Sequence, residues 1–209
     1  MNGNLTVLFD FDGVIADTES QYTIFWNRHG KDYLGAEDFG LTIKGQTLNQ
    51  IMNGYFKDNP KVQNELKAML DDFETSMSYD YVPGAYEFMM ELKKKGIPTA
   101  IVTSSNLIKM AYAFKAHPEL PSMVDVILTS EDFSRSKPDP ECFIKGMEKL
   151  GAKPENTVIF EDSIHGINAG RAAGARIIGL TTTNKSEVLA PLCDMVIDDF
   201  TGFSLKKLI

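Results

Sequence analysis

The 209-residue chain predicts an α/β fold: a doubly wound parallel sheet with a helical domain inserted after its first strand. Three observations carry that expectation. From about residue 82 onward, short apolar β-branched runs alternate with helical patterns, the texture of βαβ units. Residues 18–80 instead carry helical patterning with no convincing strand, too long a stretch for one crossover. Polar clusters fall at the ends of predicted strands, the edge where open α/β sheets bind ligands.

In chain order, residues 5–9 (Leu-Thr-Val-Leu-Phe) read as a strand buried on both faces. Asp17-Thr18 reads as a helix N-cap, with a helix running through Phe25, Trp26 and Arg28. Helices follow over 47–56 and 62–77, the second with Leu66, Met69, Leu70, Phe73 and Met77 at three-to-four spacing. Tyr81-Val82-Pro83-Gly84 punctuates the chain. The alternation then runs as helix 85–95, strand 99–102, helix 107–115, strand 124–128, helix 140–150, strand 157–160, helix 164–173 and strand 176–180, closing with a helical turn at 186–189 and a strand at 195–197. The expected division is a core of residues 1–16 and 82–209 and a helical insert of residues 17–81. There are no repeats and no low-complexity segment.

Bulk properties narrow the class. The hydrophobic share of 43% and charged share of 24% are ordinary for a globular protein. A net charge of −8 argues against nucleic acid or an anionic membrane as partner, since both call for a basic face. Cys142 and Cys193 have no metal-like spacing and suit a reducing cytosol. No apolar run reaches membrane-spanning length, and the N-terminus running straight into the core strand leaves no room for a signal peptide. The expected location is the cytoplasm.

The chemistry gathers at four stations. The first strand ends in Asp10-Phe11-Asp12-Gly13; in extended chain Asp10 and Asp12 point the same way, roughly 6–7 Å apart. Alone, Asp-x-Asp-Gly is equally an ordinary strand-to-turn signal. Thr103-Ser104-Ser105-Asn106 joins hydroxyls to the free amides of a helix N-terminus, a phosphate cradle or a plain helix cap. Lys137, in Ser136-Lys137-Pro138-Asp139, offers a fixed positive charge. Glu161-Asp162-Ser163 ends another apolar strand, and its carboxylates complete with Asp10 an oxygen-ligand set suited to Mg²⁺. His29, His117 and His165 are isolated and take no role.

Taken in this order, Asp10-Phe11-Asp12-Gly13-Val14, Thr103-Ser104, Lys137-Pro138 and Glu161-Asp162-Ser163 resemble the four motifs of the haloacid dehalogenase superfamily, in its β-phosphoglucomutase-like phosphatase branch. The likeness covers essentially the whole chain. It implies a Rossmann-like core with a helical cap, and a Mg²⁺-dependent phosphatase acting on a small phosphorylated metabolite such as a sugar phosphate. By the resemblance Asp10 is the nucleophile and Asp12 the general acid/base. Asp10, the Asp12 main-chain oxygen and Asp162 hold the metal, with Glu161 touching it or orienting its waters. Thr103, the backbone at Ser104, and Lys137 hold the phosphate oxygens. Lys44-Gly45 resembles the specificity loop of the cap, and Asn106 stands where the family touches substrate.

Some features depart from the family's mutases. An arginine after the Lys-Gly pair is absent, the stretch reading Thr47-Leu48-Asn49, and Tyr22 or its neighbours stand where a histidine is found. The alternatives are a β-phosphoglucomutase, an inorganic pyrophosphatase, a haloacid dehalogenase, which lacks the acid/base carboxylate, and a non-enzymatic phospho-receiver. Receivers carry their phosphorylated Asp on the third strand and have no helical insert.

Overall fold

The computed structural model describes residues 5–208. Strand β1 (Thr6–Phe9) is followed by four helices, α1 (Glu19–Leu34), α2 (Phe39–Thr42), α3 (Leu48–Tyr55) and α4 (Pro60–Ser76). The alternating part then runs α5 (Ala85–Lys94), β2 (Thr99–Val102), α6 (Leu107–Ala116), α7 (Leu120–Met123), β3 (Val126–Leu128), α8 (Glu141–Leu150), β4 (Thr157–Glu161), α9 (Ile164–Ala172), β5 (Arg176–Leu180), α10 (Ser186–Leu189) and β6 (Met195–Ile197).

All six strands are parallel, in the order β3-β2-β1-β4-β5-β6. The strand that opens the chain is thus central. Phe9, its last residue, is in register with Ile101 of β2 and Phe160 of β4, so three strands deliver their polar carboxyl ends to one edge.

Period-two alternation sorts each strand between two cores. Val7, Phe9, Ile101 and Phe160 face a layer built with Phe88, Met110, Phe200 and Phe203. Leu8, Ala100, Val102 and Ile159 face Phe143, Met147 and Ile167 of α8 and α9. Every residue of β1 is buried, as its unbroken apolar run requires. The four helices of the insert enclose a third cluster of their own, centred on Phe25, Trp26, Phe39, Met52, Leu66 and Leu70.

The chain leaves and rejoins the sheet side by side. Ala16 and Tyr81 form an antiparallel bridge, Asp17 N–H donates to Asp80 O (2.8 Å), and Val82 N–H donates to Ile15 O (2.9 Å).

Element positions agree closely with the sequence pattern, and the differences have local causes. The strand expected over 124–128 begins at Val126. The insert's last helix begins at Pro60, behind an Asn59 side chain that accepts from Val62 N. The four-residue helices α2 and α7 are too short to show a period. Among the described residues no helix is long and apolar enough to cross a membrane.

Candidate active site

A cavity of about 350 Å³ opens over the carboxyl edge of the sheet, between it and the helical insert. Asp10, Asp12, Thr103, Ser104, Asn106 and Asp162 line it from the sheet side, and Lys44 and Gly45 from the insert. Lys137 and Glu161 lie beneath it, almost wholly buried.

Gly13 makes the floor possible. The chain turns at φ +70°, and a Cβ there would stand 2.2 Å from Asp162 Oδ2. With no side chain in between, the loop after β1 lies directly against the end of β4. Ligand oxygens of Asp10, Glu161 and Asp162 come within 4.8 Å of one another.

Lys137 threads between two of these acids. Its Nζ donates to Glu161 Oε1 (2.6 Å) and to Val102 O (3.3 Å), and lies 2.9 Å from Asp10 Oδ1. The ammonium is the one donor near buried Asp10 Oδ1, approaching it off the axis of a good hydrogen bond and shared with Glu161 and Val102. Burial raises the Asp10 carboxyl to about 8, with Lys137 opposing and Glu161 and Asp12 adding to the rise. Burial also lifts Asp162 well above its usual range, reinforced by Glu19, Glu161 and Asp10. So many buried acids with one ammonium leave room for a cation. An all-oxygen donor set with an orphaned carboxylate oxygen fits a hard divalent ion such as Mg²⁺.

Glu161 faces away from the cavity. Its Oε2 accepts from Asp162 N, Ser163 N (both 2.8 Å) and Ser163 Oγ (3.0 Å), and Oε1 takes Lys137. Ser163 caps α9 as well, accepting from Gly166 N (3.1 Å). Gly166 is required there, because a Cβ would meet Glu161 Oε1 at 1.7 Å.

Asp12 is held from three sides. Ser105 Oγ donates to Oδ2 (2.7 Å), while the Thr18 hydroxyl and the Lys109 ammonium both reach Oδ1. Burial acts to raise this carboxyl, but the charge of Lys109 and the hydrogen bonds from Lys109, Thr18 and Ser105 outweigh it and lower it, so Asp12 stands as an anion. Thr18 sits at the N-cap position of α1 as the sequence indicates, yet makes no cap hydrogen bond; its hydroxyl serves Asp12 instead.

The remaining expected residues are placed as follows. Thr103 is fully buried and its Oγ1 accepts from Ser105 N (3.0 Å). Ser104 Oγ donates to Gly45 O (3.4 Å), tying sheet edge to insert. Asn106 caps α6, accepting from Lys109 N (2.8 Å), and also lines the cavity. Lys44 pairs with Glu19 rather than standing free, and its carbonyl lies 2.8 Å from His165 Nδ1.

Tyr22, noted in the sequence only as a departure from the mutases, lines the cavity, and several residues that sequence reasoning passed over join it: Lys109, Glu19, Glu74, and the loop after β5. In that loop Thr182 donates to Gly13 O (2.6 Å), Thr183 to Asp162 Oδ2, and Asn184 to Asp162 O (2.9 Å). A three-residue polar run at a strand end, Thr182-Thr183-Asn184, was the available signal for the loop. Lys109 offered none, since its partner lies 97 positions away.

Residues 7–180 match the profile of the haloacid dehalogenase-like hydrolases. The chain belongs to that family. Among curated proteins, this haloacid dehalogenase-like hydrolase is 31% identical to validoxylamine A 7'-phosphate phosphatase of Streptomyces hygroscopicus subsp. limoneus over 208 residues, covering 93% of each chain. It is 31% identical to hexitol phosphatase A of Escherichia coli K12, covering 96% of this chain and 93% of that one. Among solved structures, β-phosphoglucomutase of Clostridium difficile superposes with a TM-score of 0.79 at 19% identity, covering 99% of this chain and 96% of that chain, a likeness of fold. The chain is accordingly an enzyme, a phosphatase of the haloacid dehalogenase-like family.

Proposed function

We propose that the protein is a Mg²⁺-dependent phosphatase that hydrolyses a small phosphorylated metabolite, a sugar or polyol phosphate, through an aspartyl phosphate on Asp10. The observation that carries this reading is the orphaned, buried Asp10 Oδ1 in a carboxylate cluster at the cavity floor, with the Lys137 ammonium beside it. Hydrolysis of phosphorylated compounds by the two curated relatives supports it.

Asp10, Asp162 and the Asp12 main-chain oxygen would hold the metal, and Glu161 would fix the loop around it. Mg²⁺ there would offset the repulsion between Asp10 and a phosphate dianion. Asp10 attacks phosphorus, forming the O–P bond to its carboxylate as the bond to the leaving oxygen breaks. Asp12 is an anion while Lys109 holds it; once substrate displaces that contact, Asp12 takes up a proton from solvent and gives it to the leaving oxygen. Water then attacks phosphorus, Asp12 takes the water's proton, and the bond to Asp10 breaks, restoring both acids. Thr103, the Ser104 backbone and Lys137 would stabilise the non-bridging oxygens.

The helical insert, residues 17–81, acts in this reading as a cap over the core of residues 1–16 and 82–209. Lys44, Gly45 and Asn106 form the part of the wall that meets the leaving group. Two free cysteines suit a cytoplasmic location, and the net charge of −8 disfavours nucleic acid and anionic membranes as partners.

The test is phosphate release from a panel of phosphorylated metabolites by purified protein. Release is expected with Mg²⁺, to vanish in EDTA, and to return with excess Mg²⁺. Undiminished release in excess chelator would overturn the metal assignment.

A further inference from the structure

Glu74 of α4 is a buried acid that the chemistry above leaves unused. It is 6% exposed and lines the cavity from the insert side. Its Oε1 accepts from Tyr22 OH (2.7 Å). Its Oε2 makes no hydrogen bond among the described residues, and it is not sealed in the protein as Asp10 Oδ1 is. An oxygen both free and accessible on a residue this enclosed faces the cavity. Tyr22 satisfies one oxygen of this enclosed carboxylate, and a donor for the other can come only from what fills the cavity.

The surroundings restrict that occupant. Tyr22 lies under the Lys109 ammonium, which stands 4.2 Å above its ring and is committed to Asp12. The other cation lining the cavity, Lys44, is committed to Glu19. Lining carboxylates outnumber cations, and no arginine is present among the lining residues. Nothing in this wall would neutralise a second phosphate or a carboxylate.

We infer that Glu74 is the determinant of leaving-group specificity, accepting a hydrogen bond from a hydroxyl of a polyhydroxylated monophosphate and rejecting substrates that carry a second anionic group. The inference rests on the phosphatase reading of Asp10 and adds the chemistry of the distal end. A site built to pair with a hydroxyl discriminates strongly against analogues lacking it, because its own polar group is then left unpaired. A like charge at the same point excludes anions. Tyr22 is a positioning residue here, fixing the rotamer that aims Oε2.

The experiment compares kcat/KM for glucitol 6-phosphate with that for hexyl phosphate, which has the same carbon chain without hydroxyls, and with that for a hexose 1,6-bisphosphate. Glu74→Gln keeps the shape and the bond to Tyr22 while removing the charge; Glu74→Met removes the acceptor. The ratio of glucitol 6-phosphate to hexyl phosphate is expected to fall at least about tenfold in Glu74→Met and less in Glu74→Gln, while relative use of the bisphosphate rises in both. A purely structural role would lower all three substrates together and leave the ratios unmoved, which overturns the inference. Binding of the two monophosphates in an Asp10→Asn background, read by calorimetry with and without Glu74→Gln, reports the same preference without turnover. If the wild type hydrolyses none of the three, the phosphatase reading fails on this class, and the calorimetric ratio still decides the role of Glu74.

Discussion

Asp10 stands where a nucleophile or a metal ligand would be placed, at the carboxyl end of the central strand on the cavity floor. It is buried, crowded by Glu161 and Asp12, and one of its oxygens has no well-aligned hydrogen-bond donor. Asp10→Asn is nearly isosteric, yet the amide is a poor nucleophile and a poor Mg²⁺ ligand. Phosphate release is expected to fall at least about 1000-fold, with an unchanged circular dichroism spectrum; retention of a tenth of the activity would exclude covalent catalysis here. Glu74 gives a prediction in pH. Burial raises its carboxyl above the ordinary 4.5, with Lys109 and Tyr22 opposing. A carboxyl that keeps its proton to higher pH when folded stabilises the fold at low pH, and that stability is lost as pH rises through its native pKa. Glutamine does not titrate. The melting temperature of Glu74→Gln relative to wild type should therefore climb as pH rises above the ordinary carboxylate range. A flat difference would show that Glu74 titrates normally.

At the scale of elements, α9 is fastened to the site by its first turn. Gly166 allows the Glu161 carboxylate to lie against the helix, and Glu161 in turn holds Lys137. Gly166→Ala forces one of them to shift. The expected result is a loss of about 2 kcal/mol in urea unfolding, the usual scale for overpacking, together with at least about tenfold lower kcat as Lys137 loses its anchor. The same element shows what was legible in the sequence. Strands and helices read correctly because burial on one or both faces imposes a period that a single chain carries in its own letters. Asp10, Asp12, Asp162 and Thr103 were readable because each sits at a strand end, where local pattern and sheet topology agree. Lys109 was hidden in a well-formed helix, indistinguishable from a solvent-facing lysine, because its ion pair with Asp12 is made by tertiary packing. Thr18 shows the converse: its place before α1 was evident, but its hydroxyl answers to Asp12 rather than to the helix. Lys44 was read only as part of a loop resembling a specificity loop, and its pairing with Glu19 depends on the turn that precedes α3.

At the scale of the molecule, the balance of charge across the cavity bears on whether a phosphoryl group is hydrolysed or returned. A mutase must grip a bisphosphate at its far end while the sugar reorients, a task suited to the bidentate fork of arginine. The cavity lining has none, and both of its lysines are paired. With β-glucose 1-phosphate, Mg²⁺ and a trace of bisphosphate, free phosphate is the expected product; glucose 6-phosphate forming faster than phosphate would restore the mutase. The antiparallel bridge between Ala16 and Tyr81 bears on where such selectivity is held. The insert departs and returns at one antiparallel bridge, flanked by the hydrogen bonds of Asp17 to Asp80 and of Val82 to Ile15, and it encloses an apolar cluster of its own. The helices that wall the cavity from above thus draw much of their packing from one another, while the strands that carry the polar edge take their order from pairings outside the insert. What the enzyme accepts and what it does to it are thereby written in two separate stretches of one chain.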